Sequence, residues 1–418
     1  MRVCFVSRRY FPAISGMSVY AHNLITQLAA MGHDVVMVSQ YREDAAGVGI
    51  YGGGPPPTVP GVEVHGLRSV GEERASCSAP ADFERDLAEL VDAVCAAHEH
   101  APFDVVHAQY AYPTGLAAME ASRRLGVPNV VSIQGGDGHW VGSCCATHKA
   151  AMEAVLGGAM RLLIGSRSFA REVHDNHGTP LDRFTIVPGA VDTSRFTPSG
   201  EPGALGAPPR LLFHGRVDRR KGALDFLDAA AAIRAERPVQ VVVSGIGPDL
   251  EAARERAEAL ALPVKFTGYA PYDAAPAVYW LGDVFVSPTH AEGFSNTILE
   301  AMASGLPVVS CHAVGVVDCL RDGENGLLVP VADHAALVGA LRRILDDEAL
   351  RRRIAATALG EARTVYAWPA VARQIAGVYE DVAREPVTDG WSAHYDPSAR
   401  TLADADLSCR FRSAPHLL

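Results

Sequence analysis

Two glutamates, Glu292 and Glu300, stand eight positions apart in the stretch EGFSNTILEAMASGLPVV, on either side of Ser295, Asn296 and Thr297. Ser, Asn and Thr are helix-start residues, and Gly305 with Pro307 closes the helix they would open. A helix start offers unpaired N–H groups at the positive end of its dipole, so the stretch sets an anion site between two carboxylates. Gly293 would let a ligand come close to the backbone. Both glutamates also have ordinary local readings. Thr297-x-x-Glu300 is a capping box whose carboxylate returns to the Thr N–H, and Glu292 fits as a loop carboxylate. Spacing alone leaves both readings open.

A second group lies in HGRVDRRKG, residues 214–222, where Arg216 and Lys221 are framed by Gly215 and Gly222. The loop follows a predicted strand and opens a helix. Arg supplies a fork of donors and Lys a mobile point charge, which together suit a diphosphate; solvated surface charge is the alternative. Gly245, in SGIG, also ends a strand, although a lone Gly-x-Gly is weak by itself. The eight cysteines form no CxxC pair, and none has zinc spacing. They read as small buried hydrophobes, with Cys144-Cys145 the one adjacent pair, and no metal is expected.

Strands and helices alternate around these loops. VCFVS (3–7) reads as a strand, SVYAHNLITQLAAMG as a helix closed by Gly32, and HDVVMVS as the next strand. There follow helix 81–100, strand DVVHA (104–108), helix 115–126, strand NVVSIQ (129–134), helix 148–159 and strand LLIGS (162–166). Residues 51–60, rich in Gly and Pro, read as a surface loop. Continuous β-branched runs are what a parallel sheet covered on both faces requires. TPSGEPGALGAPPR then crowds out any periodicity. A second α/β series runs through strand LLFHG, helix 222–236, strand QVVVSG, helix 249–261, strands VKFTG and DVFVSP, and helix 333–347, before a last helix at 368–384.

The expected domains are 1–198, a linker at 199–209, a second domain at 210–368, a closing helix at 369–384 and a tail at 385–418. The fold class is α/β, two doubly wound parallel sheets, with ligands beyond the carboxyl ends of the strands. A chain of 418 residues fits two such cores. Its net charge of -11 and its 20% charged residues describe a globular protein and argue against a duplex nucleic-acid binder. The N-terminal apolar run stops at Arg8 and Arg9, short of a signal peptide, and no apolar stretch reaches the ~20 residues of a membrane span, so a cytoplasmic protein is expected.

Over residues 1–384 the chain resembles the GT-B glycosyltransferases of family 4, the large retaining group. The resemblance rests on GRVDRRKG, EGFSNTILEAMASGLPVV, DGENGLLVP (322–330) and VPGAVDTSRFTP (187–198), in the family's order. It implies that Glu292, with the backbone of Gly293 and Phe294, binds donor-sugar hydroxyls, and that Glu300 takes the nucleotide's ribose hydroxyls. The diphosphate would sit on the helix start at Ser295, Asn296 and Thr297, with Gly215, Arg216, Lys221 and Gly245 around it. Gly16 matches the family's N-domain glycine loop, whose first position is here Ser15. After NVVSI many relatives carry a histidine near the reaction centre; this chain has Gln134, with Asp137 and His139 as candidates for that role.

The implied reaction is retaining, hexosyl-type transfer from a nucleoside diphosphate sugar, UDP or GDP, with the cations replacing a metal and no further cofactor. Asp404-Ala405-Asp406 lies in the irregular tail and is no metal motif. The clearest amphipathic helix is acidic, which favours a soluble small acceptor, for instance in specialised-metabolite biosynthesis, over a lipid. Arg8, Arg9 and residues 139–148 would select it. Expected partners are donor and acceptor, with no nucleic acid and no integral membrane association; a homodimer stays open. The alternatives are a nucleotide-sugar epimerase or hydrolase of the same fold, and a catalytically silent nucleotide-sugar-binding partner subunit. An NAD dehydrogenase is disfavoured because no Gly-x-Gly-x-x-Gly follows the first strand.

Overall fold

The computed structural model describes residues 1–8, 10, 16–41, 58–68, 83–142 and 146–387. Arg9, Ser15, Cys144, Cys145, most of the 51–60 loop and the Asp404-Ala405-Asp406 stretch lie outside the described residues. The chain divides into two compact units: residues 1–187 with 372–418, and residues 188–371.

Unit 1 is built on seven parallel strands: β1 (Arg2–Ser7), β2 (Asp34–Tyr41), β3 (Val62–Arg68), β4 (Val105–Gln109), β5 (Asn129–Ile133), β6 (Arg161–Ile164) and β7 (Phe184–Ile186), in the order β3-β2-β1-β4-β5-β6-β7. Every residue of β4 and β5 is buried, whereas edge strand β3 has none buried and exposes Glu63, Gly66 and Arg68. That contrast is the signature of a sheet covered on both faces at its centre. β1 pairs β2 on one side and β4 on the other, so the winding reverses between β1 and β4.

Unit 2 repeats the plan with six parallel strands: β8 (Arg210–His214), β9 (Gln240–Ser244), β10 (Val264–Gly268), β11 (Val284–Ser287), β12 (Val308–Cys311) and β13 (Leu327–Val329), in the order β10-β9-β8-β11-β12-β13. Its reversal lies between β8 and β11. Phe213, Phe226, Tyr279 and Phe285 are buried in its core. Each large side chain so removed from water contributes roughly 1.5–3 kcal/mol before entropy is counted.

The boundary differs from the sequence reading. Residues 199–209, expected as a linker, are hydrogen-bonded into unit 2: Gly203 N donates to Gly305 O at 3.1 Å, and Arg351 Nε donates to Gly203 O at 2.9 Å. Gly206 N and Arg210 N both donate to Asp283 Oδ2, while Arg210 Nη2 lies 2.6 Å from Asp283 Oδ1. Gly and Pro here serve a tightly fitted crossing, not a free tether. The closing helix, Trp368–Val382, starts in unit 2 and from Ala372 belongs to unit 1. Helices Arg167–His177, Ala275–Tyr279 and Glu348–Thr364 were not read from the sequence. GGDGHW is a short helix, Gly135–Trp140, where a loop was expected.

Candidate active site

At the reversal of unit 2 the loop after β8 meets the loop after β11. Gly222, at φ +74°, lies so close to Pro288 that a Cβ would fall 2.1 Å from its carbonyl oxygen. His290 N and Thr289 Oγ1 both donate to Arg220 O, at 2.8 and 3.2 Å. His290 Nε2 also lies 2.9 Å from Asp225 Oδ2. These ties bring Lys221 onto Glu292, with Nζ 2.5 Å from Oε2. The pair that the sequence separates by 71 positions (292 − 221) is therefore one ion pair, its lysine about one-third exposed.

Arg216 Nε lies 3.4 Å from Asp218 Oδ2, and Arg220 Nη2 lies 3.1 Å from the same atom. Burial by itself would raise the Asp218 carboxyl, but hydrogen bonds from the Arg220 side chain and backbone and the charges of Arg220 and Arg216 outweigh it and hold it below the usual range. Asp218 thus stays an anion and orients both guanidinium groups.

The glycines after β8 and β9 act on each other. Gly215 N donates to Ser244 O and Gly245 N to Gly268 O, while a Cβ on Gly245, at φ +129°, would stand 1.8 Å from Gly215 O. Val217 N then donates to Ile246 O at 3.0 Å. The two loops prolong the sheet's backbone pairing beyond its end, which is the reason for Gly-x-Gly in SGIG.

Helix Asn296–Ala303 starts beside Glu292. Its N-cap is Ser295, with extended backbone and no side-chain capping bond, and the first intrahelical donor is Leu299 N to Ser295 O. The capping box that Thr297 and Glu300 allow is not formed. Glu300 Oε2 instead accepts from the Tyr279 hydroxyl at 2.5 Å, because Tyr279 stands buried beneath that turn. Burial pushes the Glu300 carboxyl up to about 7, against the Tyr279 hydrogen bond and the Arg195 charge, which pull it down. Gly315, at φ +75°, presses on the backbone of the first glutamate: a Cβ there would stand 2.2 Å from Glu292 O. Phe294 packs on Gly189 and, at 5.9 Å between ring centroids, on Tyr366.

Gly215, Arg216, Lys221, Gly245, Glu292, Gly293, Phe294, Ser295, Asn296, Thr297 and Glu300 thus all lie in unit 2. The remaining candidates, Gly16, Asp137 and His139, lie in unit 1. Gly16 is the exposed first residue of helix Gly16–Ala30. Asp137 is fully buried: Oδ2 accepts from Ala111 N at 2.6 Å and Oδ1 from Gln134 N at 2.7 Å. Burial pushes its carboxyl up to about 7, opposed by those backbone donors. His139 Nδ1 lies 2.6 Å from Glu172 Oε1, and its ring packs 4.6 Å from Phe169.

Sequence reasoning missed Tyr279, Asp218 and Gly315. Nothing in APAVYW marks a tyrosine that will reach Glu300, since the contact is long-range. Asp218 and Gly315 left a signal: an acid among four basic residues, Arg216, Arg219, Arg220 and Lys221, and a glycine shortly after an apolar strand. Among the described residues no three His, Cys, Asp or Glu side chains gather as a cation cage.

Two parallel-sheet units, each with its loops beyond the strand ends at the reversal, define the GT-B class of sugar transferases. Residues 15–190 match the family described as glycosyl transferase 4-like domain, and residues 208–347 that described as glycosyl transferases group 1. The chain belongs to this family, the group 1 glycosyltransferases. A D-inositol 3-phosphate glycosyltransferase of Acidothermus cellulolyticus is 31% identical over 68% of each chain. A glycogen synthase of Mycobacterium tuberculosis is 27% identical over 91% of this chain and 94% of its own. Among solved structures, the sucrose-phosphate synthase of Thermosynechococcus elongatus shares the fold with a TM-score of 0.74 at 22% identity, covering 91% of this chain and 98% of that one. HepE of Anabaena in complex with UDP-glucose gives 0.69 at 18% identity, over 91% and 100%.

Proposed function

We propose that this glycosyltransferase moves a sugar from a nucleoside diphosphate sugar, with UDP or GDP as the nucleotide, to a hydroxyl of a small soluble acceptor, with retention of anomeric configuration and without a metal ion. The observation that carries the reading is the Lys221–Glu292 pair beside the uncapped start of helix Asn296–Ala303. A carboxylate that accepts from sugar hydroxyls and a cation that faces phosphate are set side by side, as a bound sugar diphosphate requires. Tyr279 holds Glu300 at the far side of that helix start, where two ribose hydroxyls could donate to it.

In this reading Lys221, Arg216 and the N–H groups of Asn296 and Thr297 stabilise the departing diphosphate. Fixed donors aimed at developing charge give most of the acceleration in such sites. The bond from the anomeric carbon to the phosphate oxygen breaks as the acceptor oxygen bonds on the same face, and a phosphate oxygen takes the acceptor's proton. Glu292 is held by Lys221 and serves as a hydrogen-bond acceptor, not as a nucleophile. Asp137 and His139 are given no step, since backbone donors and Glu172 engage them. The acceptor falls to the loops of unit 1. The relative named for D-inositol 3-phosphate supports a small polyol acceptor, and the UDP complexes of HepE support the donor class.

The test is calorimetric binding of UDP-, GDP-, dTDP- and ADP-sugars, with and without EDTA, repeated with Lys221→Ala and Glu300→Gln. Tight binding of one donor, indifferent to EDTA and lost in both variants, is expected. A folded protein that binds none of the four would overturn the reading.

A further inference from the structure

We infer that Gln134 selects the acceptor, by presenting its side-chain N–H groups to an oxygen of a small hydroxylated molecule at the carboxyl ends of β4 and β5. The inference rests on the proposed glycosyl transfer and specifies its acceptor half.

Met17 O can only accept, so the Gln109 atom 3.0 Å from it is the amide nitrogen. Gln109 Oε1 then faces Ser7 Oγ, which donates to it at 2.7 Å. The same Gln109 nitrogen lies 2.9 Å from the Gln134 side chain, and a donor there requires the oxygen of Gln134. The chain of bonds fixes which way each amide points, an orientation otherwise ambiguous for glutamine. Gln134 accepts with Oε1, and among the described residues its Nε2 has no acceptor. Ser7 and Gln109 are fully buried and Gln134 is half-buried, so the chain leads outward from the core and ends in N–H donors.

Its place is the one at which such a fold binds ligands. Ser7 ends β1, Gln109 ends β4 and Gln134 follows β5, beside the reversal of the unit 1 sheet. A second observation points the same way. Tyr110, next to Gln109, is held at φ +83°, a region that a bulky side chain avoids. Tyr110 N donates to Ser132 O, and the Thr114 hydroxyl is shared between Gln109 O and Tyr110 O, which keep it there. Backbone strain that the surroundings enforce collects at binding sites.

With its oxygen turned to Gln109, this carboxamide offers a ligand its two N–H donors, and it carries no charge at any working pH. It therefore reads an accepting oxygen, and a carboxylate in its place would turn a lone pair toward that oxygen.

Donor affinity is measured by calorimetry with UDP-glucose and GDP-mannose. Transfer is measured by nucleotide release to glucose, N-acetylglucosamine, myo-inositol and D-inositol 3-phosphate, for the wild type, Gln134→Met and Gln134→Glu. Met keeps the length of the side chain and leaves Gln109 bonded to Met17 and Ser7, and equal thermal midpoints for the three proteins separate a lost acceptor contact from a lost cap on helix Gly135–Trp140, whose N-cap is Gln134. The expected result is an acceptor KM raised about tenfold or more by Met and further by Glu, with donor Kd within about twofold of wild type. An unchanged acceptor KM, a Glu variant better than Met, or a loss confined to donor affinity overturns the inference. Donor binding with transfer to none of the four acceptors overturns it as well. Absence of donor binding in the wild type instead sinks the glycosyl-transfer reading on which it stands.

Discussion

Glu300 is a carboxyl whose surroundings set a pH dependence. Burial raises it from 4.5 to about 7 before any donor arrives, and its ionised form accepts from ribose hydroxyls more strongly than the neutral acid does. Donor binding should therefore release a proton, and donor affinity should rise as pH increases toward 7 and level off above it. Calorimetry at several pH values in two buffers of different ionisation enthalpy reads both effects, and Glu300→Gln should flatten the profile. The folded group holds its proton more tightly than the unfolded one. Its linkage to folding thus runs the other way, with stability greatest below 4.5 and falling as pH rises to about 7. Asp137 calls for a different experiment. Asn can offer one oxygen to either Ala111 N or Gln134 N but must turn its own donor on the other. Asp137→Asn should cost about 1–3 kcal/mol of stability in denaturant unfolding, at unchanged donor affinity. Donor affinity that falls with stability would show the carboxylate to be more than a tie between two loops.

Among the elements, the loops after β8 and β9 make the most exposed claim. Gly245→Ala places a Cβ against Gly215 O and forces an alanine to φ +129°, so it should destabilise unit 2 by about 2 kcal/mol or more and abolish donor binding. Gly339→Ala, with open space around its Cβ in helix His334–Asp346, should stabilise slightly, by up to about 1 kcal/mol, and serves as the control. The same elements show what the sequence could and could not reveal. The apolar strand runs and the glycines after them were legible, because burial on both faces and backbone crowding each demand a residue type. Thr297-x-x-Glu300 could not be decided locally, because a capping box and a ligand carboxylate share the pattern. The local capping pattern was present, but Tyr279, from another element, reached the carboxylate first. Residues 199–209 misled: their composition suits a linker, and only Asp283, Gly305 and Arg351, all distant in sequence, make them part of a core. Helix Glu348–Thr364 was legible and overlooked, with Leu350, Ile354, Ala358 and Ala362 buried at four-residue spacing.

At the scale of the whole molecule, unit 1 depends on the last described helix. Ile375, Tyr379 and Val382 are buried there, and the Tyr379 hydroxyl lies 2.5 Å from His107 Nδ1, inside the sheet. Burial lowers His107 to about 3, so the ring stays neutral and each nitrogen is used once, the other meeting Ser132 Oγ at 2.7 Å. A chain ending at Val371 should lose the thermal transition of unit 1 while that of unit 2 stays near its place, as read by scanning calorimetry. Movement of both transitions together would mean that the two units unfold as one.

The division of the chain has a consequence for its birth on the ribosome. Residues 188–371 form one uninterrupted unit, whereas the other is split, its closing residues encoded from 372 onward. Domains commonly fold in the order in which they are translated, the N-terminal one first. Here the order is inverted: unit 2 has its full set of residues as soon as Val371 has left the exit tunnel, while unit 1 still lacks the helix that buries Ile375, Tyr379 and Val382. The half of this enzyme that is written first is the half that is finished last.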